Sequence, residues 1–138
     1  MLAVFHFWWW FLLVGIVVTI SFEVARRRRL RVYCDRRCTG LRWCRSFPAA
    51  SKDDIRSFLD AFVDAFGFPR KRRLCFSPDD KVVDVYRTLY PSIGYADCFE
   101  IPTFVKTLQD RYGLDVARLP QREYTLGELF ALTHSQQI

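Results

Sequence analysis

At 138 residues and 16.4 kDa the chain has room for one modest domain and a tail, which excludes most multidomain enzymes. A composition of 51% hydrophobic and 17% aromatic residues excludes a wholly disordered chain, and a mean hydropathy of -0.01 excludes a polytopic membrane protein. The net charge of +6 is concentrated in one place: nine arginines face a single acid, Asp35, between Val24 and Ala50, while residues 51–138 carry 12 basic and 13 acidic groups. The basic character therefore belongs to a short collar, which argues against a nucleic-acid-binding domain.

Met1 to Phe22 is apolar except for His6, Thr19 and Ser21, and no side chain in it carries a fixed charge. At about 1.5 Å rise per residue, some 20 such residues cross a hydrocarbon core of about 30 Å. Trp8, Trp9 and Trp10 form an aromatic cluster of the kind found at membrane interfaces. A secretory signal would have a basic leader, a shorter apolar core and a small-residue cleavage site, whereas here Ala25 runs directly into arginines. Residues 1–24 are expected to form one transmembrane helix. Because Lys and Arg stay on the cytoplasmic side, the N terminus is expected outside and the rest of the chain in the cytoplasm, at the inner membrane.

Residues 25–50 read as a basic juxtamembrane linker. Arg26, Arg27, Arg28, Arg29 and Arg31 are expected to lie on anionic headgroups, each contributing about 1 kcal/mol near the surface. Cys34, Cys38 and Cys44 follow a C-x3-C-x5-C spacing, which is not a pair of zinc knuckles, so no metal is expected. Five cysteines cannot all pair within one chain, in keeping with free thiols or S-acylation near the membrane.

Residues 51–138 contain four periodic segments and no alternating strand pattern. In the first, Ser51 is an N-cap, Gly67 a stop, and Ile55, Phe58, Leu59, Phe62, Val63 and Phe66 form one apolar face. A basic loop follows, with Arg70, Lys71, Arg72 and Arg73 facing lipid, a partner or solvent. In the second segment Ser77 is expected to cap and Pro78 to take the first helical position, ahead of Val82, Val85, Tyr86 and Leu89. The third places Ile101, Phe104, Val105, Leu108 and Tyr112 inward and stops at Gly113. The fourth opens on a Thr125–Glu128 capping box, with Leu126, Leu129, Phe130 and Leu132 apolar. The expected fold class is all-α, a small four-helix bundle behind one transmembrane helix.

The order of these elements, with G-Y-A-D-C-F-E before the third helix, D-R-Y-G-L-D-V at its end and Y-T-L-G-E-L opening the last, resembles acyl carrier proteins and carrier-like domains of uncharacterised bacterial families. Gly94, Asp97, Phe99, Tyr112, Gly113, Leu114, Asp115, Thr125 and Leu129 fall on matching positions over about residues 51–133. In a carrier a serine in a D-S-L motif receives phosphopantetheine. Here Asp97-Cys98-Phe99 stands in that place, the nearest serine is Ser92, and a helix over 78–90 replaces a loop. The resemblance thus implies a carrier-shaped domain that carries no cofactor and serves protein contact. The expected contacts are Asp97, Cys98, Phe99, Glu100 and Thr103 at the start of the third helix, with basic residues 70–73.

A catalytic Cys98 lacks a nearby histidine in sequence, and the chain has no Gly-rich phosphate loop, H-E-x-x-H helix or G-x-S-x-G elbow. The expectation is a non-enzymatic protein whose partners are membrane lipid and an unidentified protein, with no nucleic acid and no small-molecule substrate. Two alternatives stay open: a membrane-tethered acyl carrier, and a helix-turn-helix nucleic-acid binder whose third helix carries Lys106 and Arg111 against Glu100 and Asp110.

Overall fold

The computed structural model describes residues 2–91, 99–120 and 122–135, with side chains described from residue 8 onward. The chain is mostly helical. Helix α1 spans Leu2–Cys34, α2 Gly40–Ser46, α3 Lys52–Ala65, α4 Val82–Leu89, α5 Glu100–Tyr112 and α6 Leu126–Ser135. Short 3-10 turns cover Arg70–Cys75 and Val116–Arg118. The only pairing of strand type among the described residues is an isolated antiparallel bridge between Lys81 and Thr125.

Helix α3 forms where its sequence directs. The Ser51 hydroxyl accepts the Asp54 N–H at 3.0 Å, and Asp53 and Asp54 offset the positive end of the helix. Gly67, at φ 68°, takes the left-handed conformation in the turn beyond the helix, and Gly113 ends α5 with the same φ. The capping box of α6 closes reciprocally, the Glu128 N–H bonding Thr125 Oγ1 at 3.1 Å and the Thr125 N–H bonding Glu128 Oε2 at 2.9 Å.

The second periodic segment differs from its expectation. Its helix starts at Val82, and residues 77–80 form a turn. The Asp80 carboxylate bonds back to the Ser77 N–H at 2.7 Å, which holds a tight turn in place of a first helical one. The turn also serves as a platform for α6. The Leu126 N–H bonds Asp80 O at 2.9 Å and the Gly127 N–H bonds Pro78 O at 2.8 Å. A Cβ at Gly127 would stand 2.9 Å from that same Pro78 oxygen, so the close approach requires glycine.

Phe58 and Phe62 on α3 centre the core. Phe58 meets Phe104 of α5 and Phe130 of α6 at ring-centroid distances of 6.0 and 5.3 Å, and Phe62 meets Phe76 and Phe104 at 5.1 and 5.3 Å. These are edge-to-face pairs, the arrangement aromatic quadrupoles favour. The apolar face expected of α3 is buried at all six positions, as are Val82, Val85 and Leu89 of α4, Phe104 and Leu108 of α5, and Leu126, Leu129 and Phe130 of α6.

The largest departure concerns residues 25–50, read from sequence as a linker. Helix α1 does not end with the apolar run but continues through the arginines to Cys34, and α2 follows after five residues. Leu30 and Tyr33 of α1 and Trp43 of α2 are buried in the core. Tyr33 stacks on Phe76, and Trp43 packs edge-on against Phe130 at 5.7 Å. Two polar groups lock this segment to the 74–76 backbone. The Thr39 hydroxyl lies 2.8 and 2.7 Å from the Leu74 and Phe76 carbonyl oxygens, and Trp43 Nε1 donates to Phe76 O at 2.8 Å. The Arg36 guanidinium grips both Asp80 carboxylate oxygens at 2.7 and 2.9 Å. A bidentate pair is geometrically stricter than a single contact, so it fixes the register of α1 against the 77–80 turn.

Candidate basic cleft at the exit of the apolar helix

The apolar part of α1, from Trp8 to Phe22, is exposed along its length, with each tryptophan about two-thirds exposed. Among the described residues, one helix is by length and composition apolar enough to cross a membrane. The charged half of the same helix begins at Glu23, and from there the domain packs against it through α4 and the 70–75 turn.

Glu23 and Arg26 stand where the exposed and packed halves meet, and a cleft opens on either side of them. The first, of about 350 Å³, runs down α1 past Arg26, Arg27 and Leu30 and is closed opposite by Gly67, Phe68, Pro69, Lys71 and Arg72. The second, of about 450 Å³, is bounded by Phe22, Glu23 and Arg26 on one side and by Leu89, Tyr90, Phe99, Glu100 and Thr103 on the other. The turn at Gly67 brings its backbone beneath Arg26, and a Cβ there would lie 3.7 Å from the Arg26 guanidinium. The ends of α3 and α4 and the start of α5 therefore gather at the last apolar turn of α1.

The structure divides the expected basic patch. Arg70 turns to α3 and pairs with Asp64 at 2.8 Å; that hydrogen bond holds the Asp64 carboxyl below the usual carboxylate range. Arg73 pairs with both oxygens of Asp60 at 2.9 Å. Lys71 and Arg72 turn to α1 and line the first cleft. Lys71 makes no ion pair or hydrogen bond through its side chain among the described residues, and Arg72 has the Cys34 sulfur as its neighbour, which raises the guanidinium pKa further. Of the collar, Arg26 and Arg27 line the cleft, while Arg28, Arg29 and Arg31 are exposed on α1 and line neither.

Phe99, Glu100 and Thr103, expected to contact a partner, line the second cleft. Phe99 is 75% exposed, close to Phe22. The Tyr90 hydroxyl donates to Glu100 Oε1, and Glu100 Oε2 is buried without a hydrogen bond. Asp97 and Cys98, the other expected contacts, lie outside the described residues, as do Ser92 and Gly94.

Among the described residues no three His, Cys, Asp or Glu groups converge to hold a metal. Cys34, Cys38, Cys44 and Cys75 are free thiols. Burial pushes the Cys75 thiol upward, with the neighbouring Cys34 sulfur adding to the effect.

Sequence reasoning missed Glu23 as the hub of both clefts. The available signal was its place three and four residues before Arg26 and Arg27, which it reaches at 3.7 and 3.2 Å. It also missed Trp43, whose one clue was a lone tryptophan amid arginines. Comparison with known protein families, curated proteins and solved structures found no match to the chain.

Proposed function

We propose that the chain is a single-pass inner-membrane protein whose helical domain works by contact rather than catalysis, held against the cytoplasmic headgroups. The observation that carries this reading is the continuity of α1. One helix passes from an exposed apolar stretch into the domain core without a break, so anchor and domain form one body. The arginines at its exit set the orientation, with the N terminus outside.

The carrier-like resemblance stays with the sequence motifs of residues 51–133 and supplies the idea of docking through the start of α5. Geometry narrows that idea. Phe99, Glu100 and Thr103 flank Phe22, the last apolar residue before the collar, so a partner reaching them must itself lie at headgroup level. A second membrane protein, or a peripheral protein resting on the bilayer, meets that condition.

The full-length protein, expressed without a tag, is expected to stay in the pellet after alkaline carbonate washing of membranes. Its C-terminal domain is expected to resist protease added to intact cells and to be cut after the cells are opened. Release by carbonate, or cleavage from outside, overturns the reading.

A further inference from the structure

We infer that the first cleft is a phosphate-binding site for an anionic phospholipid headgroup. This deepens the membrane-anchored reading and rests on it for the source of the ligand. Arg26 and Arg27 face Lys71 and Arg72 across about 350 Å³ of open space, and Glu23 is the one carboxylate in the lining. That carboxylate is shared between Arg26 and Arg27; Lys71 and Arg72 make no ion pair among the described residues, Arg72 having the Cys34 sulfur as its neighbour and Asp35 acting on it through space.

The selection of residues is as informative as the charge. Four consecutive basic residues occupy 70–73, and the 3-10 turn sends them two ways. Arg70 and Arg73 are neutralised by Asp64 and Asp60, while Lys71 and Arg72 are delivered to the wall opposite α1. A surface that merely needed positive charge would not require this sorting. Guanidinium groups from two elements, with an ammonium in the same lining, suit the oxygens of a phosphate better than a single carboxylate.

Depth identifies the source. The cleft begins at Glu23, one residue beyond the end of the apolar run of α1, and Phe68 and Leu30 form its apolar floor. In a bilayer spanned by residues 1–22 that level is the phosphate plane. A lipid phosphate enters sideways with its glycerol against the apolar floor, whereas a free phosphate has nothing to place there.

The test uses the full-length protein in mixed micelles of detergent with four parts phosphatidylcholine to one part phosphatidylglycerol, with bound lipid counted by native mass spectrometry. Micelles keep the measurement independent of whether α1 crosses a bilayer, so a failure here and a failure of the anchoring tests are distinct. Retention of phosphatidylglycerol over phosphatidylcholine is expected, and the pair Lys71→Gln with Arg72→Gln is expected to weaken it on the order of twentyfold. The pair Arg37→Gln with Arg45→Gln removes the same charge outside the cleft and is expected to change it by less than about twofold, because exposed charges at a distance are screened. Equal loss in both pairs, or loss in neither, overturns the proposal. If the double variant loses its thermal transition, Lys71→Glu alone is read instead; Lys71 is exposed, and unchanged retention in that variant overturns the proposal. Inorganic phosphate added to the native protein is expected to leave the bound lipid in place, and displacement at a concentration matching the lipid's would assign the site to free phosphate and overturn the lipid source.

Discussion

The two halves of α1 belong to one continuous helix and meet opposite surroundings. From Trp8 to Phe22 the side chains are exposed and, apart from Thr19 and Ser21, apolar. From Glu23 to Cys34 the charge is high, yet Leu30 and Tyr33 are buried and Arg36, just beyond, is anchored on Asp80. Apolar character therefore does not mark the part of this helix that belongs to the domain core. Two well-placed side chains in an arginine-rich stretch do what a long apolar face does elsewhere, because burial follows helical position rather than average composition.

Truncation breaks this comparison most directly. A chain starting at Glu23 is expected to keep a cooperative unfolding transition. One starting at Phe47, which lacks Leu30, Tyr33, Thr39 and Trp43, is expected to lose it; equal midpoints in denaturant would show that the collar adds nothing to the fold. In the full-length protein, Trp43→Ala removes a fully buried indole and leaves the Phe76 carbonyl one donor short. The expected loss is about 3–5 kcal/mol by chemical denaturation in detergent.

Asp80→Ala tests the joint between α1 and the 77–80 turn. It deletes the acceptor of both Arg36 and the Ser77 N–H, at a side chain only 10% exposed, and is expected to cost about 1–3 kcal/mol. Gly127→Ala forces a Cβ against the Pro78 backbone and is expected to cost about 1–3 kcal/mol, read as a lowered Tm. It leaves α1 untouched, so a similar loss there would show that the collar joint is no weaker than the internal packing of the domain.

Acidification is expected to give the smallest effect. Hydrogen bonds from Arg70, Lys81 and the Thr125 N–H hold the carboxyls of Asp64, Glu123 and Glu128 below their usual range. Folded-state values below the unfolded ones mean that these groups contribute stability above about pH 4, and that the contribution fades as pH falls through the lowered values. All three are solvent-screened, so a shallow decline in Tm below pH 4 is expected. A steep collapse would point to groups in the α1 joint.

Much of the domain was legible from sequence. Ser51, Gly67, Gly113 and the Thr125–Glu128 box act locally, and the spacing of Ile55 to Phe66 names a buried face without reference to anything distant. What was not legible depends on partners far along the chain. Arg36 meets Asp80 across 44 residues and Trp43 meets the Phe76 carbonyl across 33, and no local pattern announces either pairing. The same holds for the cleft. Four adjacent basic residues look equivalent in sequence, and only the positions of Asp60 and Asp64 on the neighbouring helix decide which two pair with α3 and which two turn to α1.

The unbroken passage of α1 into the core sets how far this domain can travel. A flexible tether of 26 residues would let a tethered body wander about 25–30 Å from its root. Here the intervening residues are themselves part of the folded body, so its reach is close to zero. Tilting of the apolar segment must swing the whole domain with it, like a paddle on a rigid shaft. Whatever meets this protein has to come to it, and from a direction that the lean of one helix selects.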